Sequence, residues 1–219
     1  TNAIHLKTEL SQSGARFDTE PHEPGFDEEI LLEGYRKYGL GWLRELRGRF
    51  AFALWDQTQR TGYLVRDPVG AVPLFLAEVR QTVRFASEIG ALVGLPDVDE
   101  RLDPVAVQEV LNWGSILPPR TIWRSVRALP PGALARWRGG TLTLEPWIEL
   151  PLPPATEAPH AGSTDLGLEA LVRLRRAVDR DLSRPPSSGS ASASGAAADA
   201  KLGRTGLASD AGPAGALLA

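Results

Sequence analysis

Few residues in this chain sit at a spacing that does chemistry. It contains no cysteine, so a thiolate nucleophile, a thiolate metal site and a CxxC redox pair are absent from it. Its three histidines, His5, His22 and His160, are scattered without HExxH or HxH spacing, and a metal site has no support. The acids Asp27-Glu28-Glu29 stand just before an apolar-periodic run. A carboxylate there caps a helix. Arg66 and Asp67, followed by Gly70 and Pro73, fall in a loop between strands. Glycine and proline need only turn geometry there, and the Arg-Asp pair reads as structural. Glu88 is an acid at a helix start or a hydrogen-bond acceptor at a domain junction.

The charges nearly cancel, with 24 Lys+Arg against 27 Asp+Glu and a net charge of -3. No basic stripe tracks phosphates, which argues against nucleic acid as a partner. The longest apolar stretches, such as residues 50–55, fall far below the roughly 20 residues of a spanning helix. No secretory pattern opens the chain. The expectation is a soluble, cytoplasmic protein with no membrane partner. Hydrophobic residues make up 42% of the chain, enough to build a core.

Several elements must position these side chains. Residues 4–10 form a short helix. A clearer one opens at Asp27 as N-cap, with Leu31, Tyr35 and Tyr38 on one face and Gly39 as the stop. Residues 49–56 and 61–67 are aromatic and β-branched runs joined by a polar turn, a hairpin. Strands over 72–79 and 82–86 follow at short spacing. A further helix begins at Asp103 with Pro104 in its first position. Leu102 and Val107 are placed as a hydrophobic staple, and Val107, Val110 and Leu111 form its apolar face. Residues 133–137 and 141–144 make a last hairpin. Helices and sequential antiparallel strands without regular βαβ alternation indicate an α+β fold.

Composition changes near Arg184. Residues 185–219 are mostly Ala, Gly, Ser and Pro with no aromatic, too poor in large apolar groups to offset a backbone ordering cost of roughly 1–2 kcal/mol per residue. A disordered tail is expected. Residues 151–163 have the composition of a linker.

Four blocks carry a resemblance: LRGRFAFALWD (46–56), RDPVGAVPLFLA (66–77), FASEIGAL (85–92) and LDPVAVQEVLNWGSILPPRTIWRSVRALPPG (102–132). In order and spacing they resemble the glutaminase domain of glutamine-hydrolysing asparagine synthases, a class II glutamine amidotransferase. The similarity covers most of residues 1–150. A helix over 168–182, with Leu171, Val172, Val178 and Leu182 on one face, looks like the first helix of that family's synthetase domain. The resemblance implies an N-terminal-nucleophile-like α/β/β/α fold, incomplete here. It divides the chain into a partial glutaminase domain (1–150), a linker (151–163), a first synthetase-like helix (164–184) and a low-complexity tail (185–219).

In that family a first-residue cysteine attacks the glutamine amide, with the free α-amino group as base. The resemblance places this cysteine before the point where the sequence begins, so the chain reads as truncated at both ends. Thr1 is a fragment edge rather than a substitute nucleophile, because residues 1–5 fall on the family's N-G-E-I-Y turn. The Asn-Gly of that turn holds the oxyanion. Here the two positions read Thr1-Asn2, and Asn2 supplies a donor only by a register slip. Asp27 falls on the aspartate of the family's S-D-T-E motif, which binds the α-ammonium of glutamine, although Phe26 and Glu28 replace its neighbours. N-cap and ligand contact are both open for Asp27. The family's S-G-G-x-D-S loop, which binds the pyrophosphate of ATP, would fall on residues 184–192, and these lack both G-G-x-D-S and a preceding apolar strand. A tail read out of frame would explain the abrupt end of the match.

The function implied is ATP-dependent amidation of aspartate with ammonia from glutamine. The intact family uses ATP and Mg as cofactors, glutamine and aspartate as substrates, and a homodimer is the assembly the resemblance allows. No cofactor, no catalytic residue and no metal site is expected within this chain, which by itself performs neither half-reaction. The alternative is a degenerate glutaminase-like scaffold, or a relative of the β-lactam synthetases, which also lack the N-terminal cysteine and form an amide.

Overall fold

Side-chain parity along the strands sorts residues 1–149 into layers. The computed structural model describes residues 2–21, 23–149, 164–182, 198–200 and 216–218. Its helices are α1 (Ala3–Gln12), α2 (Phe26–Tyr38), α3 (Pro104–Trp113) and α4 (Thr164–Leu182), with 3-10 helices at Gly39–Glu45 and Ile89–Ala91. The strands are β1 (Ala51–Asp56), β2 (Thr61–Arg66), β3 (Phe75–Val79), β4 (Thr82–Ala86), β5 (Val126–Ala128), β6 (Ala133–Arg138), β7 (Thr141–Pro146), β8 (Ala198–Ala200) and β9 (Ala216–Leu218). They form two antiparallel sheets, in the orders β7-β6-β2-β1-β9 and β5-β3-β4-β8.

In the first sheet, Phe52, Leu54, Tyr63, Val65 and Leu134 point to one face, where Leu6 and Leu10 of α1, Phe26 and Ile30 of α2, and Trp42 and Leu43 close a core. The alternate residues Leu64, Ala133 and Ala135 point the other way and meet Leu76 and Val83 of the second sheet. The far face of that sheet, with Ala77, Val79 and Ala86, is covered by Leu92, Val98 and Trp123. Each strand that separates two of these cores divides its apolar residues between them. The α+β layering follows from that division.

The hairpin β1–β2 and strand β4 form where alternation places them. Strand β3 begins at Phe75 rather than residue 72, because Val72 donates its N–H to Asp67 and its carbonyl accepts from Arg66. Asp103 caps α3 by accepting from Val105 N at 2.9 Å, with Pro104 following. The apolar face expected of α3 needs correction. Ala106 is its buried residue, whereas Val110 and Leu111 are exposed. Leu102 is also exposed, and it pairs with Trp123 in an isolated bridge. The buried line of α2 is Phe26, Ile30 and Gly34. Leu31 and Tyr35 pack at the margin of that core, while Tyr38 is exposed and stacks on Trp42 with ring centroids 5.5 Å apart.

The chain divides into two units, Thr1–Glu149 with Ala193–Ala219, and Leu150–Ser192. In the second, α4 begins at Thr164 and presents Leu171, Val172, Leu174 and Val178 as exposed apolar side chains. The linker 151–163 lies outside the described residues. Of the low-complexity tail, β8 and β9 are described, the first pairing with β4 and the second with β1.

Candidate functional site

Asp27 is set by the loop that precedes it. The N-cap of α2 is Gly25 rather than Asp27. Phe26 is buried in the core and gives its N–H to the Glu23 carbonyl at 3.2 Å, and the helix starts two residues earlier than the acid pattern suggests. Asp27 therefore lies in the first turn with Glu28 and Glu29, where the helix dipole favours a negative charge. The loop is tied down at both ends. Glu29 accepts the Asp18 N–H at 2.8 Å, the Thr19 N–H at 3.0 Å and the Thr19 hydroxyl. Burial pushes the Glu29 carboxyl up, but these hydrogen bonds, with Lys7 nearby, outweigh it and hold the group below its ordinary value. Lys7 of α1 donates to the Thr19 carbonyl at 2.9 Å, and its ammonium lies over the rings of Phe17 and Phe26 at 5.8 and 5.4 Å.

Asn2 has a different setting. Residues from Ala3 onward are helix, so the interior turn expected over residues 1–5 is replaced by the start of α1. Asn2 donates from Nδ2 to the Glu45 carbonyl at 3.0 Å and accepts the Arg47 N–H on Oδ1 at 2.8 Å. Its backbone N–H reaches the Arg47 carbonyl at 3.2 Å. The side chain thus fastens α1 to the segment ahead of β1, while Asp27 is placed by the loop and α2. Thr1 lies outside the described residues.

Arg66 and Asp67 hold a loop. The guanidinium donates to the carbonyls of Val72 (2.7 Å), Leu129 (2.6 Å) and Gly70 (2.7 Å). Desolvation lowers its pKa, with the adjacent Asp67 opposing. Asp67, fully buried, accepts the N–H groups of Val69, Ala71 and Val72. Gly70 has φ +68°, and a Cβ there would lie 2.8 Å from Pro131 and 3.1 Å from the guanidinium. Every one of these hydrogen bonds ends on backbone, and the pair is structural.

His5 is exposed beside Glu9, whereas His22 and His160 lie outside the described residues, as does the serine- and glycine-rich run 184–192. Glu88 is exposed and makes no side-chain cap bond. Among the described residues no group of three or more His, Asp or Glu could hold a metal ion. A small apolar cavity under α2, lined by Leu31, Tyr35, Leu40, Leu54, Tyr63 and Val65, does not include Asp27.

Two polar contacts escape sequence reasoning. One is the Glu29 clasp. In the other, the Tyr35 hydroxyl donates to Asp56 at 2.7 Å and joins α2 to the end of β1. Both span ten or more residues, and no local spacing announces them.

A family model described as a glutamine amidotransferase domain matches residues 1–148. A protein of Mycobacterium tuberculosis (strain ATCC 25618 / H37Rv) named "Putative asparagine synthetase (glutamine-hydrolyzing)" is 38% identical over 145 residues, 64% of this chain and 22% of that protein. "Asparagine synthetase (glutamine-hydrolyzing) 1" of Bacillus subtilis (strain 168) is 33% identical over 132 residues, 60% of this chain and 20% of that protein. "Amidase chyE" of Penicillium rubens is 30% identical over 107 residues, 48% of this chain and 15% of that protein. The chain spans about a fifth of the length of the first two.

Proposed function

The chain belongs to the glutamine amidotransferase domain family over residues 1–148, and on that premise we propose that its layered unit binds the amino-acid end of glutamine through Asp27. The match over nearly all of that unit carries the reading. Asp27 supports it chemically: a carboxylate in the first turn of α2 accepts charge-assisted hydrogen bonds from an α-ammonium group. Asn2 is assigned to holding α1, since its amide is committed to the backbone of Glu45 and Arg47.

Hydrolysis is not assigned to these 219 residues, because they contain no cysteine to attack the amide. The names its relatives carry support reading the longer protein as a glutamine-hydrolysing asparagine synthetase; ATP and Mg enter that reading through the family resemblance alone. The described residues offer no metal-holding cluster, so no step through ATP or Mg is placed on this chain. Among them, no helix is long and apolar enough to cross a membrane. The cysteine-free composition favours a second reading, a domain that binds glutamine without hydrolysing it.

Titrating the 15N-labelled chain with L-glutamine tests the site. Backbone amides of the first turn of α2 should shift saturably, and Asp27→Asn should abolish the effect. A wild-type chain indifferent to glutamine, or an Asp27→Asn chain that responds like wild type, overturns the reading. A measured glutaminase activity of the 219-residue chain would overturn its assignment as non-hydrolytic.

A further inference from the structure

We propose that Glu29 is a positioning residue for the amino-acid site, clasping the loop before α2 so that the turn carrying Asp27 is held in one place. The proposal rests on the glutamine-binding reading of Asp27 and assigns it a support that sequence comparison does not supply.

Two side chains close the same loop. Glu29 reaches back from α2 to Asp18 N at 2.8 Å, Thr19 N at 3.0 Å and the Thr19 hydroxyl. Lys7, from α1, lies over Phe17 at the loop's start and Phe26 at its end, and donates to the Thr19 carbonyl at 2.9 Å. The loop also fastens itself from within. Glu20 N donates to the Glu23 carboxylate at 2.8 Å, and the Glu23 carbonyl receives Phe26 N at 3.2 Å. Residues 17–20 and 23–26 are thus held from both helices, and Asp27 is the next residue.

The electrostatics fit a support rather than a ligand contact. Three donors converge on the Glu29 carboxylate, which leaves it poorly placed to receive a substrate ammonium. Lys7 faces it from α1 and also pairs with Glu20 at 3.4 Å, while Arg16, Asp18, Glu20 and Glu23 are the charged groups among the described residues of the loop. Neutralising Glu29 weakens charge-assisted bonds to the loop without removing any group that touches glutamine.

A pH titration of the 15N-labelled 219-residue chain, without ligand, reads the clasp directly. The amide protons of Asp18 and Thr19 should titrate together, with a midpoint below the ordinary glutamate value of 4.5. Glu29→Gln should erase that titration and weaken glutamine binding about tenfold or more, as a displaced ligand contact does. Asp27→Asn should abolish binding yet leave the titration intact. Amides that titrate unchanged in Glu29→Gln overturn the clasp. A lost titration with wild-type glutamine affinity overturns the positioning role. A wild-type chain that shows the titration but never binds glutamine overturns the glutamine reading and the positioning role with it, leaving the clasp as a purely structural bond.

Discussion

The indole of Trp42 lies against the backbone of Gly34, so close that a Cβ built on the glycine would fall 2.0 Å from ring atoms Cε2 and Nε1. Hydrogen is the one side chain that fits. Gly34 continues the buried line of Phe26 and Ile30, and the missing side chain lets the 3-10 helix Gly39–Glu45 fold its tryptophan back onto α2.

Two effects compete when Gly34 is replaced by alanine. Helix propensity favours alanine by about 1 kcal/mol. Overpacking a filled core costs about 1–3 kcal/mol and more where backbone must move, and this overlap involves a rigid ring in a buried position. Gly34→Ala should therefore destabilise the chain by about 2 kcal/mol or more in urea denaturation. A stability gain would mean that Trp42 is free to swing away.

Asp67 is fully buried and accepts three backbone N–H groups. Asp67→Ala leaves those donors without their acceptor, at about 1–3 kcal/mol for each group that finds no water. A loss of about 3 kcal/mol or more is expected. Asp67→Asn, which keeps an acceptor oxygen, should lose less than Asp67→Ala, and equal losses in the two variants would contradict the assignment of these bonds.

What the sequence makes legible is local. The β1–β2 hairpin shows in its alternation, and the start of α3 shows in Asp103-Pro104, because both are decided by residues a few positions apart. The beginning of α2 misleads for the opposite reason. Three acids advertise a cap at Asp27, but the tertiary burial of Phe26 draws the helix start back to Gly25. The periodicity of α3 likewise marks an apolar stripe without saying what, if anything, covers it. At the candidate site, resemblance singles out Asp27 and its motif's glutamate falls on Glu29, but what Glu29 holds becomes visible only with its partners ten and eleven residues earlier in the chain.

The Tyr35 hydroxyl donates to Asp56 at 2.7 Å, and burial first, then this acceptor, raises the phenol far above its ordinary value of 10. The folded state thus keeps a proton that the unfolded chain gives up. Tyr35's contribution is fully present below pH 10 and is lost progressively as the pH rises above it. Tyr35→Phe should reduce stability by about 1–2 kcal/mol at neutral pH, since Asp56 loses a donor. It should also flatten part of the stability decline above pH 10, measured by urea denaturation at several pH values. An unchanged alkaline slope would show that Tyr35 ionises as freely in the folded chain as in the unfolded one.

Leu111 is 80% exposed and Trp113 73% exposed, although both belong to a helix whose sequence reads as amphipathic. Arg120 holds the following loop against that helix by pairing with Asp103 at 3.2 Å and Glu109 at 2.7 Å. These apolar side chains are therefore presented on a fixed frame and contribute little to the core. Leu111→Lys should change the unfolding free energy by less than about 0.5 kcal/mol, as surface substitutions do. Leu76, fully buried between the two sheets, is the matched contrast, and Leu76→Ala should cost about 2–5 kcal/mol. Urea midpoints at constant slope give both values. If Leu111→Lys were to cost as much as Leu76→Ala, the outer face of α3 would have to be buried in solution.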